Sequence, residues 1–313
     1  MPNSKQIAII GAGMMGHGIA QIFASHGHWV SLLDVSEEIL ARAIENIRAN
    51  LTLLAKNGIG NKRDIESIIK RVRVTLNLEE AASKAKFVVE AVPEKLDLKQ
   101  TLFQKLDAIC SSDTILATNT SVISITDIAA KASKRDRIVG THFWNPPYLV
   151  PLVEVIKGEK TSPEVVDLTA DLLRSVGKYP VKVKRDVPGF VGNRLQHALW
   201  REAISIVEQG IADPATVDEV VKKGFGIRLP ALGPLENADM VGLDLTLQIH
   251  DYILQHIERS TQPSPLLKKK VKDEELGFKT GQGFQKWAPD TMERCRRRLL
   301  EHLILWNRDH RED

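Results

Sequence analysis

The feature that most constrains how this chain folds is a glycine-rich turn close to its start. Residues 5–10 form a short apolar run typical of a buried parallel strand, and the turn Gly11-Ala-Gly-Met-Met-Gly16 follows at once. The pattern then predicts a helix over residues 18–24, which Gly27 is placed to end, and a second strand over residues 28–34. This order predicts one βαβ unit of a doubly wound sheet.

Three glycines and one acidic residue of this unit have the spacing of a dinucleotide site. Gly11 allows a tight turn, Gly13 lets the backbone approach a pyrophosphate, and Gly16 lets the helix pack closely on the strand. Asp34 ends the second strand, where its carboxylate is placed to bind the adenosine ribose hydroxyls and to repel the 2′-phosphate of NADP. We therefore expect NAD. The alternatives are a glycine turn that binds nothing and an FAD site.

Alternating strand and helix patterns continue through the first part of the chain. A long amphipathic helix is predicted over residues 37–57 and a second helix over residues 61–70. Further strands are predicted over residues 87–90, 115–117, 138–142, 152–156 and 179–184. The alternation predicts an α/β fold in which a Rossmann-type domain with a doubly wound, mainly parallel sheet spans residues 1–187.

The pattern changes at Pro188, which suits the first turn of a helix running to about Gln209. Asp213 and Pro214 form another cap and first-turn pair, and Gly224 is placed to end the helix that they open. No convincing strand pattern follows. We therefore expect an all-helical C-terminal domain over residues 188–313, and a length of 313 residues agrees with two domains.

One histidine stands out among the nine. His142 ends an apolar strand, and ligands of α/β sheets lie at the carboxyl ends of strands. Glu154 lies inside the next apolar strand, where an unpaired charge would be costly. A pairing of the two side chains would fix the imidazole tautomer and raise its basicity, so that His142 takes a proton from an alcohol while hydride leaves the same carbon. A purely structural contact is the alternative.

Several segments resemble the motifs of the 3-hydroxyacyl-CoA dehydrogenase family, in the same order and at similar spacing over roughly residues 5 to 287. They are Gly11-Ala-Gly-Met-Met-Gly-His-Gly-Ile-Ala20, Asn119-Thr-Ser-Val-Ile-Ser-Ile-Thr126, His142-Phe-Trp-Asn-Pro146, Leu152-Val-Glu-Val-Ile156, Pro188-Gly-Phe-Val-Gly-Asn-Arg194 and Gly277-Phe-Lys-Thr-Gly-Gln-Gly-Phe284. The resemblance implies an NAD-dependent oxidoreductase of fatty acid metabolism that converts an L-3-hydroxyacyl-CoA to the 3-ketoacyl-CoA.

The resemblance also implies roles for individual residues. His142 matches the family's catalytic base and Glu154 its carboxylate partner, while Ser121 and Asn193 match residues that bind the reacting oxygen and its neighbourhood. The positions that match NAD contacts are Glu94, Lys99, Ser121, Asn145 and Lys279. Without the resemblance, Lys99 and Lys279 would be taken for surface charges.

The substrate is less well defined, because the residues that hold CoA in the family are missing. A serine and a lysine are expected on the helix over residues 37–57, but their positions fall near Asn46 and Leu53, with Lys56 as the nearest substitute. Other segments resemble the λ-crystallin and L-gulonate dehydrogenase branch. The alternatives are therefore a free 3-hydroxy acid, such as L-gulonate or L-carnitine, and a non-catalytic, crystallin-like NAD-binding protein.

Composition limits the partners. The formal net charge is only +3, and the basic run over residues 294–298 is interpreted as a solvated helix face, so no nucleic acid is expected. Two cysteines suggest reduced thiols in the cytoplasm. The first strand begins by about Ile7, so no targeting peptide is expected, and neither a membrane span nor a metal site is predicted. The family resemblance suggests a homodimer formed through the helical domain.

Overall fold

The computed structural model describes residues 4–309 and divides the chain into two compact units. The first contains the chain up to Asn193 together with the segment from Leu300 onward, and the second runs from Arg194 to Leu299. The division differs from the predicted domains of residues 1–187 and 188–313. The end of the last helix lies with the first unit because it packs there, around the buried Ile304.

The first unit is built on one eight-stranded sheet with the order β3-β2-β1-β4-β5-β6-β7-β8. The strands are β1 Gln6–Ile10, β2 Trp29–Leu33, β3 Val72–Thr75, β4 Phe87–Glu90, β5 Ile115–Thr118, β6 Ile138–Phe143, β7 Leu152–Ile156 and β8 Tyr179–Val183. Neighbouring strands are parallel except β6 and β7, which are antiparallel. The fold is therefore the predicted Rossmann-type, mainly parallel sheet. Its order reverses between β1 and β4, where ligands of such sheets bind.

Helices cover both faces of this sheet and form a separate apolar core on each face. They are α1 Met14–Ser25, α2 Glu37–Lys56, α3 Ile65–Ile69, α4 Leu78–Ala82, α5 Leu96–Ile109, α6 Ile125–Ile128 and α7 Pro163–Ser175, with 3-10 turns at Lys62–Asp64, Ala129–Lys131 and Arg135–Arg137. Strands β4, β5 and β6 are buried along their whole length, as expected for central strands with helices on both sides.

The second unit contains no strand and is built of helices, as predicted. Helix α8 Gly192–Glu208 leads into it, and α9 Pro214–Lys223, a 3-10 turn at Phe225–Arg228, α10 Pro234–Val241, α11 Leu243–Ile253, α12 Pro265–Lys272 and the start of α13 Pro289–Asp309 follow. The predicted cap at Asp213 is present, because its carboxylate accepts the Thr216 N–H at 2.9 Å. Across the described residues 4–309, no helix is both long and apolar enough to cross a membrane.

Three details of the structure differ from the sequence predictions. Strand β3 was not predicted, because it is only four residues long and alternates apolar and polar residues at the edge of the sheet. The helix expected over residues 61–70 is a 3-10 turn followed by the short α3. The prediction that Pro188 begins a helix was wrong: α8 begins at Gly192, since Phe190 adopts a left-handed conformation with φ of 49° that interrupts any helix there.

Candidate active site

The glycine turn after β1 has the geometry of a dinucleotide cradle. Gly11 has a φ of 104°, and a Cβ there would lie 2.6 Å from the Ala91 carbonyl oxygen. A Cβ at Gly16 would overlap the Gly11 carbonyl oxygen, so these two glycines are required by the protein itself. At Gly13, by contrast, a Cβ would meet no protein atom within 4 Å. The open space at Gly13 is therefore available to a ligand.

The groups around this space fit NAD. Helix α1 begins beyond Gly13 with no side-chain cap and no acidic residue in its first turn, so its N–H groups are free to bind phosphate. Asp34 accepts the Ala12 N–H at 2.6 Å with one carboxylate oxygen and the Val35 N–H at 2.7 Å with the other. These bonds fix the carboxylate beside the glycine turn, where it can bind a ribose hydroxyl.

His142 and Glu154 face each other across the antiparallel pair of β6 and β7, in the same register position. His142 Nδ1 and Glu154 Oε2 are 2.7 Å apart, and the two residues are only 4% and 2% exposed. The Trp144 and Phe190 rings lie beside the imidazole, with centroids 5.1 and 5.8 Å from its own. The pairing expected from the two strand positions is therefore present and enclosed by aromatic rings.

The second oxygen of Glu154 is held by the start of α8. Its Oε1 accepts the N–H groups of Val191 at 2.9 Å and Gly192 at 3.0 Å. Burial acts to raise the pKa of the Glu154 carboxyl, but the bonds from His142 and from these two N–H groups outweigh it and lower the pKa. Glu154 is therefore a carboxylate with both oxygens occupied.

Ser121, three residues after β5, and Asn193, in the first turn of α8, are brought together. Asn193 is buried and its Nδ2 donates to the Ser121 carbonyl oxygen at 2.8 Å. The Ser121 N–H donates in turn to Glu94 Oε1 at 3.0 Å, and the Thr120 hydroxyl donates to the same oxygen. Burial acts to raise the pKa of Glu94, but these bonds and the nearby Lys99 lower it. The loop that carries Ser121 is thus fixed by Glu94.

Lys99 lies inside the protein, although without the family resemblance it would be taken for a surface charge. It is 1% exposed, and its amino group lies 2.7 Å from Glu90 Oε1 and 3.2 Å from Glu94 Oε2. The Thr118 hydroxyl donates to the other oxygen of Glu90 at 2.6 Å. A buried ammonium is tolerated because it is paired twice. Lys99 therefore also helps to fix the Glu94 carboxylate.

The remaining predicted residues lie in different places. Asn145 is exposed two residues after the end of β6, in a cis peptide bond with Pro146. Lys279 is exposed in the second unit. On α2, Asn46 and Lys56 are exposed, whereas Leu53 packs in an apolar cluster with α13.

Sequence reasoning missed the residues that hold this site in place. Lys178 Nζ donates to the carbonyl oxygens of Pro147 at 2.6 Å and Val150 at 3.0 Å, and burial lowers the pKa of this lysine to about 8. Asn119 Oδ1 accepts the Phe143 N–H at 2.9 Å. Lys178 has no signal in the sequence beyond its place after a helix, and Asn119 begins one of the family motifs but was given no role there, because the partners of both residues are backbone groups.

Comparison with known proteins agrees with this geometry. The model of the 3-hydroxyacyl-CoA dehydrogenase NAD binding domain matches residues 6–187, and that of the 3-hydroxyacyl-CoA dehydrogenase C-terminal domain matches residues 189–287. The chain belongs to the 3-hydroxyacyl-CoA dehydrogenase family. It is an NAD-dependent oxidoreductase, and the family match ends before α13.

Individual relatives differ in what they are named for. A 5-formyl-3-hydroxy-2-methylpyridine 4-carboxylate 5-dehydrogenase from Mesorhizobium japonicum is 36% identical over 310 residues, covering 97% of this chain and 99% of its own. A probable 3-hydroxybutyryl-CoA dehydrogenase from Bacillus subtilis is 40% identical over 288 residues, covering 92% and 99%. A crystal structure of the pyridine carboxylic acid dehydrogenase, described as an NAD+-dependent dismutase, superposes with a TM-score of 0.90 at 35% identity over 98% of both chains.

The glycine turn gives a paired test of the cofactor site. Gly16→Ala should lower the free energy of unfolding by about 1–3 kcal/mol, because its Cβ would overlap the Gly11 carbonyl oxygen. Gly13→Ala should unfold like the wild type but bind NADH roughly tenfold or more weakly. Thermal unfolding and NADH fluorescence titration separate the two effects. Unchanged NADH affinity in Gly13→Ala would place the cofactor elsewhere.

The charge of Asp34 should set the preference between cofactors. Asp34→Asn keeps an acceptor for the Ala12 N–H but removes the charge that repels a 2′-phosphate. We expect kcat/KM for NADP+ to rise about tenfold, equivalent to about 1.4 kcal/mol, with a smaller change for NAD+. Glu37→Gln, an exposed acid three residues away, is the control for a general loss of charge. An equal NADP+ response in both variants would contradict the role of Asp34.

Proposed function

We propose that this protein oxidises the secondary alcohol of a 3-hydroxyacyl substrate to the 3-keto product, with His142 as the general base. The proposal rests on the 2.7 Å hydrogen bond between His142 Nδ1 and Glu154 Oε2 at the end of β6. A carboxylate can only accept, so Nδ1 carries the proton and Nε2 has a free lone pair. Nε2 then takes the proton of the substrate hydroxyl, and in the reverse direction it returns that proton to the ketone oxygen.

Glu154 supports this transfer through its charge and its fixed position. When Nε2 is protonated, the imidazole becomes a cation, which a carboxylate 2.7 Å away stabilises. The carboxylate cannot turn away easily, because the Val191 and Gly192 N–H groups hold its other oxygen. The chemistry that bound NAD supplies is acceptance of the hydride from the alcohol carbon. Gly13, the start of α1 and Asp34 are the groups that would hold it.

The family resemblance supports further roles around this pair. We propose that Ser121 and Asn193 bind the reacting oxygen and its surroundings. The hydrogen bond from Asn193 to the Ser121 carbonyl oxygen holds these two residues together. Asn193 also follows Gly192, whose N–H binds Glu154, so both residues lie close to the His142 pair. The proposed NAD contacts are Glu94, Lys99, Ser121, Asn145 and Lys279.

Two substrate classes share this chemistry. Family membership favours a CoA thioester such as L-3-hydroxybutyryl-CoA, the substrate expected from the sequence motifs. A small free acid, a class that includes L-gulonate and L-carnitine, is favoured by a different observation. A relative named for a pyridine carboxylate is 36% identical to this chain over 97% of its length. A non-catalytic, crystallin-like role is disfavoured by the complete His142 and Glu154 pair.

We also propose that the protein is a homodimer formed through its helical unit. None of the apolar side chains between Arg194 and Leu299, a stretch that the structure describes completely, is buried within the single chain. Helix α11 exposes Leu243, Leu247 and Tyr252. Groups of apolar side chains that stay exposed in a single chain are typical of interaction surfaces. A cytoplasmic location remains part of the proposal, supported by the free thiols of Cys110 and Cys295.

Turnover of wild-type and variant enzyme tests the catalytic proposal. With 3-hydroxybutyryl-CoA or a free 3-hydroxy acid as substrate, His142→Ala should lower kcat roughly 10²- to 10⁴-fold, because the base is lost. Glu154→Gln should lower it roughly tenfold or more, because it keeps a hydrogen-bonding group of the same size and removes the charge. NADH formation is followed by absorbance, and NADH binding serves as the control for folding. Equal rates in wild type and His142→Ala would refute the proposal.

The oligomeric state tests the proposed interface. Light scattering should give a mass near twice the 34.9 kDa of one chain. Leu247→Glu should lower that mass toward one chain by placing a charge in the apolar surface. Leu168→Glu makes the same change at an exposed position of α7 in the first unit and should leave the mass unchanged. A wild-type monomer at working concentration would exclude the dimer.

A further inference from the structure

The strand order indicates which part of the sheet a bound NAD would cover. The glycine turn follows β1, and Asp34, which is placed to bind the adenosine ribose, follows β2 on one side of it. On the other side β1 pairs with β4, and β5 and β6 come next in the sheet. A dinucleotide lies across the carboxyl ends of such strands with its pyrophosphate at the glycine turn. The nicotinamide half therefore extends over the ends of β4 and β5.

The proposed reaction requires the same placement of the nicotinamide ring. The ring that accepts hydride must lie beside the alcohol carbon, and the hydroxyl of that carbon gives its proton to His142. His142 is on β6, which pairs with β5. The groups at the ends of β4 and β5 are therefore the neighbours of the ring. Among them, Glu94 lies four residues beyond β4, and its side chain is 37% exposed.

The buried cation at this place is already paired with another carboxylate. The Lys99 amino group lies closer to Glu90, at 2.7 Å, than to Glu94, at 3.2 Å. Burial raises the pKa of the Glu90 carboxyl, but Lys99, the Thr118 hydroxyl and the Val92 N–H all donate to it and stabilise its charged form. Glu90 and Lys99 are therefore counterions. The negative charge that remains in this group of three is that of Glu94.

The Glu94 carboxylate is fixed and charged. Its Oε1 accepts the Thr120 hydroxyl and the N–H groups of Ser121 at 3.0 Å and Val122 at 3.3 Å. Burial acts to raise the pKa of Glu94, but these bonds and Lys99 lower it, so the group is ionised at neutral pH. A charge held in one place by the protein acts on a bound ligand without first having to reorganise.

The neighbouring charges on the chain have less effect at the site. Lys95 and Asp97 flank the start of α5, and both are exposed. Their charges are of opposite sign and are screened by solvent. Glu94 is therefore the acidic residue at the ends of β4 and β5 that is both fixed by the protein and open to a ligand.

The two forms of the cofactor differ in the charge of the part that this carboxylate faces. The nicotinamide ring of NAD+ is a cation, whereas the ring of NADH is neutral, and the ribose and phosphate groups are the same in both. A fixed carboxylate near the ring attracts the cation and has no comparable effect on the neutral ring. The expected consequence is tighter binding of the oxidised form relative to the reduced form.

We propose that Glu94 sets the preference of this protein between the two forms of its cofactor, by stabilising the positive charge of the oxidised nicotinamide ring, and so favours alcohol oxidation. The inference rests on the proposed hydride transfer at His142 and adds its favoured direction. Glu94 is in this role a specificity-determining residue for the cofactor, and the proton transfer stays with His142.

Cofactor binding without substrate tests this role. The dissociation constant of NADH is measured by fluorescence titration, and that of NAD+ by displacement of NADH. Glu94→Gln removes the charge and keeps an acceptor for Thr120 and Ser121, and Glu94→Ala removes the charge without placing an amide beside Lys99. Glu94→Asp keeps the charge. Asp97→Asn is the matched control, because it removes an exposed charge three residues away.

The informative quantity is the Kd of NAD+ divided by the Kd of NADH. A lost hydrogen bond to the cofactor weakens both forms alike and cancels in this ratio, whereas a lost charge acts on NAD+ alone. Glu94→Gln and Glu94→Ala should raise the ratio roughly threefold to tenfold, which is equivalent to about 0.7–1.4 kcal/mol. Glu94→Asp and Asp97→Asn should leave it within about twofold of the wild type, even where Glu94→Asp weakens both affinities.

Two results would overturn the inference: an unchanged ratio in folded Glu94→Gln and Glu94→Ala, with folding checked by Tm, or an equal rise of the ratio in Asp97→Asn. Failure of the proposed function is distinguishable from either result. It would appear as equal turnover in wild type and His142→Ala while the ratio still depends on the charge of Glu94.

Discussion

The antiparallel pairing of β6 and β7 is the constraint on which the site depends. In a sheet whose other neighbouring strands are all parallel, this one reversal places His142 directly opposite Glu154. Residues opposite each other in an antiparallel pair project from the same face, so the backbone register alone brings the ring and the carboxylate together. The burial of a charged group is then compensated by the bonds from His142, Val191 and Gly192.

The Glu154 carboxylate also accounts for the backbone conformation of the turn before α8. The left-handed Phe190 ends the turn before α8 and leaves the Val191 and Gly192 N–H groups free to reach Glu154. Asn193 follows at once and binds the Ser121 carbonyl oxygen. Residues 191–193 at the start of α8 therefore join β7, the Ser121 loop and the His142 pair into one hydrogen-bonded arrangement. This coupling favours a preorganised site over one assembled only when substrate binds.

Much of this arrangement could be predicted from the sequence, because it depends on local patterns. The glycine turn with Asp34, the apolar strands and the placement of His142 and Glu154 on adjacent strands all follow from residue type and spacing. The buried position of Lys99 could not be predicted, since it depends on Glu90 and Glu94 meeting it in three dimensions. The contacts of Asn307 and Lys178 were also inaccessible, because each binds backbone carbonyls far away in sequence.

The tautomer of His142 tests the central claim most directly. In protein labelled with ¹⁵N-histidine, the nitrogen chemical shifts of the neutral ring report which nitrogen carries the proton, and a His142→Gln variant assigns the signal among the nine histidines. The hydrogen bond to Glu154 predicts a proton on Nδ1 and a free Nε2. A neutral His142 protonated on Nε2 would contradict the account, because no lone pair would then be available to receive the proton of the substrate.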